Sequence, residues 1–173
     1  MNFIFYYIKN PYSILTTDLK HITIWHSLFA ILLGSLAIGS SIGNLNIIFI
    51  LSLFIGLTLI MILNAITIDF VAQLLSYNAK SMILFKSLSL TLLFITFLKP
   101  IELLEAYIAP GLSTLLYLCC FGYISHIQCR TIQTTYQSRG LTANLLWMMP
   151  SVLSIASIIV ITILLSQLLT PFI

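Results

Sequence analysis

The sequence predicts an all-α, polytopic integral membrane protein: a bundle of five transmembrane helices with a cytoplasmic N-terminus and an external C-terminus. Two observations lead to this prediction, the apolar composition of the chain and the placement of its basic residues. Of the 173 residues, 60% are hydrophobic and only 6% are charged, whereas a soluble domain usually carries about 25% charged residues. The composition therefore excludes an ordinary soluble domain.

The basic residues predict the orientation. Six of the seven Lys and Arg residues lie on one side of a five-span arrangement, and Lys99 alone lies on the other. Basic residues near span ends stay on the cytoplasmic side of a membrane. That side therefore holds the N-terminus, together with the six residues Lys9, Lys20, Lys80, Lys86, Arg130 and Arg139.

The apolar runs predict the bounds of the entry segment and of the five spans. Residues 1–21 are predicted to be an interfacial entry segment, in which aromatic side chains precede Asn10-Pro11, and residues 22–170 a single transmembrane domain. A bilayer core of about 30 Å needs roughly 20 helical residues per crossing. The predicted spans are 22–42, 45–68, 82–98, 112–127 and 145–169.

The third, fourth and fifth predicted spans contain prolines or an amphipathic extension in addition to their apolar residues. The third span is expected to end at Pro100, and the fourth to continue as an amphipathic cytoplasmic extension on which Cys129, Ile132 and Tyr136 share a face. The fifth contains Pro150. Because proline lacks the backbone N–H that a helix interior needs, Pro100 predicts a kink, and Pro150 predicts a kink or a first-turn position.

Polar and small residues predict how the helices meet. Asp69 and Lys86 lie within about a turn of the predicted inner surface on neighbouring spans, which predicts an interfacial ion pair. Ser35, Gly39 and Gly43 recur every four residues, a spacing that lets another helix backbone approach closely. That approach is expected either within the bundle or between two molecules.

The sequence offers no set of residues for catalysis. A hydrolase would need a Ser, Thr or Cys beside a base and an oxyanion donor, and no such group assembles from this pattern. The three cysteines lack the spacing of a metal site. We therefore expect no enzymatic activity, no metal, no cofactor and no nucleic-acid binding. The candidate contacts to a partner or to lipid are Lys86, Arg130, Tyr136 and Arg139.

The order of these features resembles the Yip domain family, the five-span Ypt-interacting proteins, and in particular its short bacterial members. The resemblance is carried by Asn10-Pro11, by the segment from Asp69 to Pro100 and by TIQTTYQSRGLTANLLWMMP. It implies a non-catalytic accessory or scaffold for membrane or transporter partners in a bacterial inner membrane, bound to a membrane protein or to a second copy. Leu75-Ser76-Tyr77 replaces the paired glycines of many bacterial members, and a role in vesicle trafficking is not carried over.

Transport is the alternative function. Ser138-Arg139-Gly140 ends the amphipathic extension and resembles the alanine-arginine-glycine motif by which the transmembrane T component of energy-coupling-factor transporters engages its ATPases. This second resemblance implies a cytoplasmic ATPase as partner. It rests on one copy of the motif, with serine in place of alanine.

The five-span topology makes a direct prediction. A reporter domain fused after Ile173 is expected to be accessible from outside the cell, because an odd number of crossings separates the two termini. Accessibility to an impermeant label measures this, with the same reporter fused before Met1 as the internal control. Labelling of both fusions, or of neither, would contradict five crossings, and labelling of the N-terminal fusion alone would contradict the orientation.

Overall fold

The chain folds into helices. The structure, a computed structural model, describes Tyr7, Ile8, Pro11 and residues 22–43, 45–107 and 112–169, with residues 104–107, 112 and 161–169 described by their backbone alone. Within these ranges there is no strand. Most of the predicted entry segment 1–21 lies outside the described residues. Of it, Tyr7 is fully buried, with its ring 6.0 Å from that of Phe94.

The described helices form five rods. The third rod is composite, since an α-helix passes into a 3₁₀ helix and back without a break. In chain order the elements are α1 (Ile24–Ser41), α2 (Ile47–Leu74), α3 (Ser81–Leu90), the 3₁₀ helix (Thr91–Phe97), α4 (Leu98–Tyr107), α5 (Leu112–Tyr136) and α6 (Gly140–Leu169).

Four stretches of the described chain are helical, long and apolar enough to cross a membrane: Ile24–Ser41, Ile47–Leu74, Ser81–Leu103 and Gly140–Val160. They correspond to the predicted first, second, third and fifth spans. The predicted fourth span is part of α5, a single helix that also includes the predicted amphipathic extension. α5 is not among the four stretches, so a crossing by this helix stays a prediction.

Side chains and backbone turns define the helix ends. Asn46 precedes α2, and its side-chain oxygen accepts from the N–H of Ile48 at 2.9 Å. α2 and α5 end in the same way, each with a non-glycine residue in the left-handed region, Ser76 (φ 68°) and Gln137 (φ 51°). In both, the next residue's N–H reaches back five residues to a helix carbonyl, Tyr77 to Ala72 at 3.0 Å and Ser138 to Gln133 at 3.1 Å.

The third rod lies at the centre of the bundle. α3 and the 3₁₀ helix pack against α1 and α5, and α3 also packs against α2. Nearly every residue from Leu84 to Ile95 is buried. The hydroxyls among them are satisfied within the helix; Ser89, for example, donates to the carbonyl of Phe85 at 2.7 Å and Thr91 to that of Leu88 at 2.6 Å. Polar residues can therefore occupy this central rod without unpaired donors.

The close approach of α1 to the central rod occurs at Gly34. A Cβ at this glycine would lie 3.4 Å from the Cβ of Leu92, so a large side chain would not fit there. Of the predicted packing residues, Ser35 and Gly39 are buried in α1. The prediction for Gly43 is wrong: it lies beyond the helix end with φ 75°, and apart from its chain neighbours, none of the described residues lies within 4 Å of a Cβ placed there.

The two predicted kink sites lie inside helical segments. Pro100 occupies the first turn of α4, directly after the 3₁₀ helix, where a missing N–H has little cost. The third rod therefore continues to Tyr107, beyond the limit predicted at residue 98. Pro150 lies within α6, which is helical on both sides of it.

Candidate functional site

A buried carboxylate joins three helical elements at one end of the bundle. Asp69 near the end of α2 is 4% exposed. Its Oδ1 accepts from the backbone N–H of Lys80 at 2.6 Å and from the hydroxyl of Tyr136 at 2.5 Å, and its Oδ2 accepts from the side chain of Gln73 at 2.9 Å. Three donors compensate the loss of hydration, which would otherwise strongly disfavour a buried charge.

Lys80 connects the same elements a second time. Its backbone N–H meets Asp69 immediately before α3, and its Nζ donates to the carbonyl of Thr135 at 2.5 Å. Thr135 lies in the last turn of α5, where carbonyls lack helical donors and the helix dipole favours a cation. Lys80 thus ties the start of α3 to both the α2 carboxylate and the α5 terminus.

Tyr136 completes this arrangement, which we call the Asp69 corner (Asp69, Tyr77, Lys80, Thr135 and Tyr136). The Tyr136 side chain is 5% exposed, and its ring packs on that of Tyr77 with a centroid separation of 5.7 Å. Burial, and then the hydrogen bond to Asp69, raise the pKa of the Tyr136 hydroxyl well above its ordinary value. The hydroxyl therefore stays protonated and continues to donate.

The corner corrects two sequence predictions. The predicted Asp69–Lys86 ion pair does not form, since the oxygens of Asp69 take other donors and the pair is not among the salt bridges of the described residues. The chain that follows the left-handed residue Ser76 instead brings the backbone N–H of Lys80 to within 2.6 Å of Asp69 Oδ1. Tyr136, predicted to be a partner contact, is instead buried within the protein.

A polar pocket lies beside the corner, between α5 and α6. It has a volume of about 220 Å³. We call it the basic pocket; it is lined by His126, Cys129, Arg130, Gln133, Gly140, Ala143 and Asn144. The guanidinium of Arg130 is exposed and donates to the side-chain oxygen of Gln133 at 2.9 Å. Gly140, Ala143 and Asn144 belong to the first turns of α6.

The lining of the basic pocket favours an anion as ligand. Arg130 supplies a permanent positive charge with several donors, and the amides of Gln133 and Asn144 add neutral donors. Cys129 brings no negative charge, because burial raises the pKa of its thiol. Among the described residues, no group of three His, Cys, Asp or Glu side chains could hold a metal ion.

Comparison with known proteins finds no match to this chain among protein-family models, curated protein sequences or solved structures. The resemblances to the Yip family and to transporter T components therefore stay predictions, and function is argued from geometry.

The other predicted contact residues lie at the same end of the bundle. Arg139 is exposed in the turn between α5 and α6, while its neighbour Ser138 is buried. Lys86 lies in the second turn of α3, and its carbonyl accepts from Ser27 of α1 at 3.1 Å. The start of α1 thus joins the corner region as well.

Sequence reasoning missed a pair of amides inside the bundle. Gln128 of α5 accepts from the indole N–H of Trp147 at 2.8 Å and donates to the hydroxyl of Thr91 at 3.0 Å, which connects α5, α6 and the central rod. Asn64 lies in the apolar run of α2 and lines a cavity together with Gln128 and Trp147. A lone amide within a long apolar run was the available signal for Asn64, whereas Gln128 directly follows the predicted fourth span 112–127 and had no such signal.

The Tyr136 hydroxyl predicts a measurable contribution to stability. Tyr136→Phe should lower the free energy of unfolding by about 1.5–3 kcal/mol, because a hydrogen bond to a buried carboxylate is lost. Unfolding in mixed micelles, followed by circular dichroism, measures this. Tyr77→Phe is the matched control: it keeps the stacked ring and should change stability by less than about 0.5 kcal/mol. Equal effects of the two variants would contradict the role given to the Tyr136–Asp69 bond.

Proposed function

We propose that this chain is a non-catalytic integral membrane protein that acts as an accessory or scaffold, and that its basic pocket binds the phosphate of an anionic lipid headgroup. The observation that carries the proposal is the placement of Arg130. Its guanidinium lines an open polar pocket with neutral hydrogen-bonding groups, at the end of the bundle where most described cations lie. A phosphate matches that combination of charge and donors.

The exposed surface of the bundle supports placement in a membrane. Four helical stretches are long and apolar enough to cross one. Every side chain of α6 from Ser151 to Val160 is exposed, and α2 carries a row of exposed large apolar side chains. An exposed apolar area of this extent requires an apolar surrounding, and a bilayer provides it. We extend this to five crossings, with α5 as the fourth.

The distribution of charge supports a cytoplasmic location for the Asp69 end. Lys80, Lys86, Arg130 and Arg139 belong to the segments where α2 and α5 end and α3 and α6 begin. Lys99 lies toward the other end of the third rod and is paired with Glu102 at 2.7 Å. The proposed orientation therefore places the basic pocket at the cytoplasmic headgroups, and the resemblance to short bacterial Yip members supports a bacterial inner membrane.

The state of the ionisable groups in the corner supports a structural role for them. A reaction at this end of the bundle would use Asp69 as its acid or base and Tyr136 as its hydroxyl. Both are buried and bonded to each other, and Lys80 is committed to the α5 terminus. Arg130, in contrast, lines the basic pocket with its charged side chain. We therefore assign binding to the pocket and helix anchoring to the corner.

The transporter alternative receives less support. Arg139 is exposed, as an arginine that enters an ATPase groove would have to be. However, Ile132 and Tyr136, on the amphipathic face of α5, are buried in the bundle, and Ser138 is buried too. An ATPase that co-purifies in mild detergent and is lost on Arg139→Glu would replace our proposal with the transporter function.

The lipid-binding proposal predicts different effects for two arginines. Arg130→Gln should weaken binding of phosphatidylglycerol more than tenfold, because a charged hydrogen-bonded contact is worth about 1.5–3 kcal/mol. Arg139→Gln makes the same change in net charge outside the pocket. It should weaken binding about fivefold or less, since one cation near an anionic surface contributes about 1 kcal/mol.

The measurement is the rise in thermal stability of the protein in neutral detergent micelles as phosphatidylglycerol is added, with phosphatidylcholine as the uncharged reference. Equal losses in the two arginine variants would mean that general attraction to anionic headgroups explains the binding. That result, or an equal response to the two lipids, would remove the basic pocket from the proposal.

A further inference from the structure

A second cavity lies between α2 and α6. Its lining includes Leu88 of α3 and Gln128 of α5, together with Asn64, Trp147, Pro150 and Ser151. We call it the amide cavity. Its volume is about 140 Å³, similar to the about 150 Å³ that accommodates a benzene-sized ligand in an engineered protein cavity. It can therefore hold a group of about six non-hydrogen atoms.

Asn64 gives this cavity an unused hydrogen-bonding group. The side chain is half-buried on a helix whose residues are mostly apolar. None of the described residues hydrogen-bonds its amide, whereas Gln128 opposite is bonded at both ends, to Trp147 and Thr91. A polar side chain within a membrane helix normally faces a partner or a polar cavity. The partner of Asn64 is therefore expected to be a bound molecule.

The Asn64 side chain offers a ligand both hydrogen-bonding roles, since an amide carries N–H donors and an oxygen acceptor. A ligand that carries a hydroxyl beside a carbonyl or ether oxygen satisfies both roles. Pro150, which has no backbone N–H to donate, lines the cavity on the α6 side.

The charge and position of the cavity further restrict the chemical class of its ligand. No ionisable side chain is among those that line it, so a charged group would be poorly stabilised there. Asn64 lies four residues, or about 6 Å along the helix, from Ile68, the predicted inner limit of the second span. One turn farther from that limit, Ile60 and Ile155 are more than half exposed on α2 and α6. An acyl chain can lie along this surface.

We propose that the amide cavity binds the glycerol portion of a neutral acylglycerol lipid, with Asn64 as the residue that recognises it. The free hydroxyl donates to the side-chain oxygen of Asn64, and the ester oxygen accepts from the amide N–H of Asn64. This site is separate from the basic pocket, and the proposal does not depend on Arg130.

Trp147 provides a direct readout. The chain has two tryptophans, so a Trp25→Phe background leaves Trp147 alone at the cavity. The probe is a monoacylglycerol with a dibrominated acyl chain, added to the purified full chain in detergent micelles. Its reference is the methyl ester of the same brominated acid, which keeps the chain and the carbonyl but lacks the hydroxyls. Saturable bromine quenching of Trp147 fluorescence reports binding.

We expect the monoacylglycerol to quench at about tenfold lower concentration than the methyl ester. Asn64→Leu should raise its half-quenching concentration about tenfold while keeping or raising the melting temperature, because an unpaired amide is removed. Loss of binding without loss of stability separates ligand recognition from a structural role. Asn78→Leu, the same change in an exposed turn, should leave quenching unaltered.

Ser151→Leu provides a second test, since it narrows the cavity from an exposed position of α6 and leaves Asn64 in place. It should also raise the half-quenching concentration severalfold. Equal quenching by the two probes would overturn the proposal. Unchanged quenching in both Asn64→Leu and Ser151→Leu would do the same, and so would a marked fall in the melting temperature of Asn64→Leu. The proposed headgroup binding at Arg130 would stand in each case.

Discussion

The arrangement of helix ends depends on the burial of one carboxylate. Asp69 is almost fully removed from solvent, and its three hydrogen bonds come from α2 itself, from the start of α3 and from the end of α5. A carboxylate left unpaired at such a site would be strongly destabilising. The elements that supply the donors must therefore stay in place together. Lys80 reinforces this by bonding the α5 terminus, and the short turn into α6 then places the basic pocket next to the corner.

Away from the corner, polar side chains lie in apolar surroundings and need hydrogen-bond partners within the bundle. Many serine and threonine hydroxyls bond to carbonyls about one turn earlier, as Ser35 does to Ile31 at 2.7 Å. Gln128 bridges two neighbouring elements. Asn64 differs from these groups, since none of the described residues hydrogen-bonds its amide and it lines the amide cavity. The structure thus separates groups that anchor helices to one another from groups that remain available to a ligand.

The sequence predicted the helical class and four helices long and apolar enough to span a membrane, because apolar length and helix breakers are local properties. The predicted second span, 45–68, begins within two residues of α2 (Ile47–Leu74), and the helix continues six residues beyond the predicted end. The predictions that were wrong concern contacts that depend on the three-dimensional arrangement of the helices. The GxxxG pattern could not show that Gly43 adopts a left-handed turn or that Gly34 faces Leu92. Proximity in sequence could not show that the turn at Ser76 presents the Lys80 N–H to Asp69, or that Tyr136 folds inward from an amphipathic stretch.

The central claim is that Asp69 and Tyr136 act as one unit that holds α2 and α5 together. A double-mutant cycle on Asp69→Asn and Tyr136→Phe, measured by unfolding in mixed micelles, tests it most directly. Our interpretation predicts a coupling of about 1.5–3 kcal/mol for this pair, and additivity when Tyr77→Phe replaces Tyr136→Phe in the cycle. Additivity of Asp69→Asn and Tyr136→Phe to within about 0.5 kcal/mol would contradict it.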